Sequence, residues 1–484
     1  IRAAHVYPIV DAVRLGDLTG MFKGPYVRLR LPFQPATPDT IPPLAWESGL
    51  TPYSHQARAF ARLVSSTYGQ PRNPLPTLVT TGTGSGKTEA FLYPILDHVL
   101  RAKRQGINGV KALILYPMNA LANDQAGRLA KLITSNNQLN TVRAGIYTGQ
   151  EGPTRTMVSA EGLITDRYEM RDNPPDILLT NYKMLDQLLL RAEDQVIWQA
   201  SAASLRYLVL DEFHTYDGAQ GTDVAILLRR LGFTIKAFYP GQLSQADQAR
   251  PLGQITPVAT SATLGEDDPT QMLTFAETVF GEDFPNDAII TESRLSVEDW
   301  VGQAPSWRAQ QGIGATWPNQ VDVLATQIRS LGANPAIDIL LNLIVDALFE
   351  NIKDKTLLND HHWVERLLKS HPLVRRLVDI ANKPVSLDDL PARVREAGSE
   401  DGLVITGNER DWATVLNAVI AILGHIRAHV GREALSVEVH YWLREVSRVD
   451  RTADSAASFR WSDDGPASAD DAPTAQVLHD LGIK

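Results

Sequence analysis

The sequence predicts an α/β fold: a parallel sheet with helices on both faces, followed by a mostly α-helical region. Two observations carry this reading. Between residues 51 and 292, short apolar runs alternate with segments of helical spacing, the rhythm of strands joined by crossover helices. After residue 292 the apolar residues keep helical spacing alone until about Ser436.

In chain order, residues 1–50 hold Pro25, Pro32, Pro35, Pro38, Pro42 and Pro43. Only Tyr26–Leu31 alternates like a strand, so an N-terminal arm is expected over 1–50. A helix is expected at Ser54–Ser65. Strands follow at Thr77–Thr80, Ala112–Tyr116, Val142–Tyr147, Ile177–Thr180, Leu205–Leu210 and Thr256–Thr260. Helices fall between most of them, at Glu89–Leu100, Ala120–Leu132, Lys183–Arg191 and Thr222–Leu231. Polar, Gln-rich Tyr239–Leu252 reads as a loop or hairpin.

The region 293–484 is expected to be an inserted or accessory domain. Its helices are expected at Ile337–Phe349, Trp363–Ser370, Leu373–Asn382, Leu387–Ala397 and Trp412–His429. Val374–Val394 has the outline of a helix-turn-helix, and an ordinary packed helix pair explains it equally well. Acidic, small-residue-rich Ser462–Ala472 is expected to be loop or disordered.

At 484 residues the chain is too long for one ordinary domain. Its net charge is −10, with 26 basic and 29 acidic side chains in 1–292 and 20 and 27 in 293–484. Neither part is a bulk polyanion binder, so any nucleic-acid contact must be a local groove. There is no cysteine, which excludes disulfides and cysteine-based zinc sites here. No run of eighteen apolar residues marks a membrane span, and no membrane partner is expected. The first residue is Ile1 and no signal pattern follows, so a fragment of a cytoplasmic protein is expected.

Two motifs carry chemistry. Thr81-Gly-Thr-Gly-Ser-Gly-Lys-Thr88 lies between a strand and a helix. Such a turn aims backbone N–H groups at phosphates, at the positive end of the helix dipole. Lys87 would reach the β- and γ-phosphates and Thr88 would sit on Mg²⁺. The second motif, Asp211-Glu-Phe-His214, follows the run Leu205–Leu210. An acidic pair at the end of a buried strand is costly unless it has a cation or a catalytic task. Asp211 would hold Mg²⁺, and Glu212 would orient and deprotonate the attacking water. Further strings fall at strand ends, where parallel sheets collect ligands. They are Tyr116-Pro-Met-Asn-Ala-Leu-Ala-Asn-Asp-Gln125, Thr148-Gly149, Leu179-Thr-Asn-Tyr-Lys-Met184 and Ser261-Ala-Thr263. Plain loop punctuation explains Thr148-Gly149 as well. Tyr53-Ser-His-Gln56 precedes the glycine loop, with a glutamine whose amide matches an adenine edge.

Taken in order, these motifs resemble the first RecA-like lobe of a superfamily 2 helicase over about residues 50–292. The strings Tyr116–Gln125 and Asp211–Asp223 resemble the MrfA-like DNA helicases, a group that includes helicase subunits of bacterial anti-phage systems such as DISARM and Druantia. The resemblance implies ATP and Mg²⁺ as cofactors, and DNA, single-stranded or with a single-stranded end, as partner. Other defence-system proteins are implied as further partners. It implies that Gln56 reads adenine and that Gly82, Thr83, Gly84, Ser85, Gly86, Lys87 and Thr88 hold the phosphates. Thr88 and Asp211 hold the metal, and Glu212 is the base. His214, Ser261 and Thr263 couple nucleotide to nucleic acid, while Asn119, Thr148 and Thr180 face the strand's backbone. The chain departs from the family in one respect. No second-lobe arginine motif is present, Gly431-Arg432-Glu433 being too isolated, so the second lobe is expected beyond Lys484. A nucleotide-gated scaffold and an RNA helicase remain alternatives.

Overall fold

Seven parallel strands form the sheet of the first unit, Phe33–Ser293. The computed structural model describes residues 22–82, 84–150, 152–262, 269–302, 314–315, 321–332, 335–396, 407–443, 449–451 and 459–461. The strands are β1 (Thr77–Thr80), β2 (Ala112–Tyr116), β3 (Ala144–Tyr147), β4 (Ile177–Asn181), β5 (Tyr207–Leu210), β6 (Thr256–Ser261) and β7 (Ile289–Thr291). They lie in the order β7-β1-β6-β5-β2-β4-β3. The register pairs Thr80 with Ser261 and Leu210 with both Leu115 and Ala259. The carboxyl ends of β1, β5 and β6 therefore lie side by side.

Alternation along β2 shows why both faces must be covered. Ala112, Ile114 and Tyr116 pack with Phe91, Ile95 and Val99 of helix α2 (Lys87–Arg104) on one face. Leu113 and Leu115 pack on the other face with Leu185, Leu188, Trp198 and Leu228. Each fully buried aliphatic side chain contributes about 1.5–3 kcal/mol. Further framing helices are α1 (Ser54–Leu63), α3 (Asn119–Ser135), α4 (Tyr182–Leu190) and α5 (Gly218–Phe238), and the shorter Arg167–Asp172, Gln195–Ser201 and Pro269–Phe280 add to the same cover. Gln-rich Tyr239–Leu252 contains a short helix, Gln245–Ala249, capped by the Ser244 side chain.

The second unit comprises residues 1–32 and 294–484. The expected lead-in 1–50 is thus divided between the units. Its strand Phe22–Arg30 pairs antiparallel with Ser436–Leu443 on one side and Val385–Ser386 on the other. The turn of the helix-turn-helix outline is therefore a strand, its Val385 facing Val27. Helices Pro372–Ile380 and Leu390–Glu396 pack into the same core, which supports the packed-pair reading. The central element is helix Glu409–Val430, opened by the Asn408 side chain accepting from Asp411 N. Its length and apolar composition would suffice to cross a membrane. Here Trp412, Val415, Val419, Ile422 and Ile426 are buried against its neighbours. The segment Ser462–Ala472 lies outside the described residues.

Candidate nucleotide-binding site

The glycine loop leaves β1 and turns directly into α2. Gly84 and Gly86 take φ +75° and +81°, left-handed values that side chains rarely adopt. A Cβ on Gly86 would stand 2.1 Å from Gln56 Nε2. The loop is braced from both sides. Thr81 and Ser85, both buried, share a hydroxyl hydrogen bond of 2.6 Å. Thr81 thus ties the first position of the loop to its fifth. The Ser85 carbonyl meets His55 Nε2 at 2.9 Å, and Gln56 Nε2 donates to the Gly86 carbonyl at 3.1 Å. Gly82 N–H donates to Glu292 Oε2, just past β7, at 3.1 Å. Thr83 lies outside the described residues.

Gln56 is 1% exposed, and its Oε1 accepts from Tyr53 N–H at 2.9 Å. Both ends of its amide are engaged within the protein. Each end keeps a second hydrogen-bonding position, which burial withdraws from solvent.

The acidic motif faces the loop across the ends of β5 and β6. Asp211 is buried, accepts the Thr260 hydroxyl and receives Glu212 N–H at 3.1 Å on the same oxygen. Burial pushes its carboxyl above the usual range; the neighbouring Glu212 charge adds to the rise, while the Thr260 hydrogen bond opposes it. Glu212 adopts φ +50°, and its carbonyl accepts both the N–H and the hydroxyl of Thr215. Lys87 Nζ lies 3.7 Å from Glu212 Oε1 and is buried without a hydrogen-bond partner. Glu212 Oε2 is 3.6 Å from His214 Nδ1, which meets the Ser261 hydroxyl at 3.1 Å. The Ser261 carbonyl accepts Thr81 N–H at 3.2 Å and closes the circuit back to the loop. Loop, acidic pair and β6 end thus form one connected constellation. Thr263 lies outside the described residues.

The residues expected to face a nucleic acid separate. Asn119, at the start of α3, accepts from Asn181 Nδ2 at 2.6 Å, and Asn181 Oδ1 caps α4 at Met184 N–H. Thr148 lines a cavity of about 600 Å³ with Asn123, Gly149, Arg155 and Arg167. Thr180 differs from both. It is fully buried and its hydroxyl donates to the Tyr147 carbonyl at 2.5 Å, because its position in β4 turns it into the sheet. The partly exposed polar residue at that strand end is Asn181. Sequence reasoning also missed Thr260, His55 and Glu292. Thr260 had a signal, being a hydroxyl residue at the end of an expected strand; Glu292 had none.

Metal fit can be judged from the donors. Asp211 supplies a carboxylate whose buried charge lacks a cationic partner at bonding distance among the described residues, and Thr88 supplies a hydroxyl. Hard oxygen donors of this kind suit Mg²⁺.

A family model described as DEAD/DEAH box helicase matches residues 53–272. The Druantia protein DruE of Escherichia coli is 30% identical over 37% of this chain and 15% of its own length. The ATP-dependent helicase hrq1 of Schizosaccharomyces pombe is 28% identical over 48% of this chain and 18% of its own length. The chain therefore spans less than a fifth of the length of either relative. A crystal structure of the DUF1998 helicase MrfA bound to DNA aligns with a TM-score of 0.40 and 20% identity, over 60% of this chain and 34% of that one.

Proposed function

Because residues 53–272 are a DEAD/DEAH box helicase domain, we propose that the protein is an ATP-driven DNA helicase or translocase. The observation that carries this reading is the linked set Lys87–Glu212–His214–Ser261, which joins the phosphate loop, the acidic motif and the end of β6. In the proposed cycle the amides of Gly82–Thr88 cradle the phosphates. Lys87 exchanges its long contact with Glu212 for a phosphate oxygen. That exchange frees the Glu212 carboxylate to orient a water and take its proton. Asp211 and Thr88 would hold Mg²⁺, which when bound neutralises charge on the β- and γ-phosphates. His214 and Ser261 then sense whether Glu212 is engaged, which gives nucleotide state a route into β6.

Asn119, Asn181 and Thr148 are proposed to grip the DNA backbone from the strand ends, a sequence-tolerant mode. The division of labour between residues 33–293 and 294–484 is proposed to be motor and accessory domain. A role in anti-phage defence, in the cytoplasm and alongside other defence proteins, is proposed; likeness to a Druantia protein supports the defence part alone. The test is ATPase of the full-length protein with DNA and with RNA of equal sequence. DNA stimulation that Glu212→Gln abolishes supports the proposal. Stronger stimulation by RNA overturns the substrate, and an ATPase indifferent to both overturns the motor. Loss of phage protection by Lys87→Ala, with the intact operon protecting, tests the defence role; unchanged plating with the intact operon removes it.

A further inference from the structure

Three of the chain's eleven histidines meet at one point in the second unit, far in sequence from the ATP motifs. His361 is the first residue of helix His361–Lys369; His425 and His429 lie four residues apart on one face of the central helix, in its last turns. Their ligand-capable nitrogens all lie within 4.8 Å of one another. We propose that His361, His425 and His429 form a binding site for one divalent transition-metal ion of the Zn²⁺ or Ni²⁺ class, which staples the two helices together.

Geometry argues first. His361 Nε2 and His425 Nε2 stand 3.2 Å apart. Two imidazoles on a tetrahedral zinc at 2.0–2.1 Å have nitrogens about 3.3–3.4 Å apart. This pair is already spaced as one edge of such a site. The second argument is tautomer control. His429 Nδ1 lies 2.9 Å from the His425 carbonyl, which can only accept. The proton is thereby fixed on Nδ1, and Nε2 presents its lone pair. A ligating histidine commonly has its other nitrogen held in this way.

One adjustment is required. The His429 ring is stacked on His361 at 4.2 Å and 4°, and parallel rings cannot both hold an ion in their planes. The His361 ring, at the first residue of its helix, must tilt out of the stack about its Nε2, since His429 is held at Nδ1. An all-imidazole set selects zinc, nickel or copper over Mg²⁺, so this site and the ATP site would not compete for one ion.

The experiment is titration of the untagged chain with Co²⁺ as a spectroscopic stand-in, then competition with Zn²⁺. One equivalent of Co²⁺ giving visible ligand-field bands, displaced by Zn²⁺, is expected. His429→Gln and His361→Gln should each weaken binding by at least about tenfold, the lower bound for losing even an outer-shell partner. His362→Ala, an exposed neighbour outside the cluster, should leave it unchanged. A hundredfold excess of Zn²⁺ over its Kd should raise the second unit's Tm by about 5–11 °C in the native chain and not in His429→Gln. Absence of a Co²⁺ band at millimolar metal, or bands that survive both glutamine variants, overturns the proposal.

Discussion

Thr260→Val gives the sharpest test of how the acidic motif is held. The substitution is nearly isosteric, and valine suits a strand. It removes the hydroxyl that donates to Asp211 and leaves the carboxylate in the same buried place. A hydrogen bond to a charged group is worth about 1.5–3 kcal/mol. In a unit of this size, 1 kcal/mol moves Tm by about 2–4 °C, so a fall of about 3–12 °C is expected at pH 8 without Mg²⁺. The sign with pH follows from linkage. Burial has raised the folded Asp211 pKa above its ordinary value, so the ionised carboxylate already opposes folding above that pKa. Removing Thr260 deepens the opposition wherever Asp211 is ionised. As pH falls and the carboxyl protonates, most of the extra loss should vanish. The assay is scanning calorimetry of both proteins at pH 8 and at the lowest pH where the wild type still folds, following the transition of the nucleotide-binding unit. An equal loss at the two pH values would refute the argument, because a packing defect has no reason to titrate.

Glu212→Gln should lower ATPase by about 10²–10⁴ while leaving nucleotide affinity within a few-fold, measured by steady-state turnover and by fluorescent-nucleotide titration. Asp211→Asn should remove ATPase yet stabilise the metal-free protein by about 1 kcal/mol, since a buried charge disappears while an acceptor for Thr260 remains; a lower Tm than wild type would contradict it. Gly86→Ala should weaken ATP binding at least tenfold, as its Cβ would strike Gln56 Nε2 at a left-handed φ. Pairing it with Gln56→Ala should relieve the clash but not the backbone strain, giving partial recovery.

The sheet was legible because parallel strands covered on both faces read as short continuous apolar runs. Six strands lie within two residues of their expected ends. The seventh, Ile289–Thr291, is three residues at the sheet edge and leaves no periodicity to read. Helix Pro269–Phe280 was also missed. Motif residues were legible because strand-end loops carry their chemistry in sequence. What supports them was not. Glu292 reaches Gly82 over 210 positions and Thr260 reaches Asp211 over 49, and such partners exist only after folding. Side-chain direction was hidden for the same reason. Thr180 and Gln56 have the right chemistry, yet both are buried and bonded inward.

Glu212 supplies the last step. Left-handed backbone is uncommon outside glycine, asparagine and aspartate, and nothing in a glutamate side chain favours it. A residue serving only as a helix cap could be any short polar one without this strain. Here the conformation is held by two hydrogen bonds from Thr215 to the Glu212 carbonyl. It sets the carboxylate between Lys87 at 3.7 Å and His214 at 3.6 Å. Both contacts are longer than hydrogen bonds, so they do not explain the strain by the energy they return. A strained backbone that aims a carboxylate between a lysine and a histidine, without bonding it tightly to either, suits a group that must change partners. That is the requirement for a base whose lysine neighbour leaves it for a phosphate. The strain at Glu212 therefore argues for a nucleotide-responsive acid over a structural one.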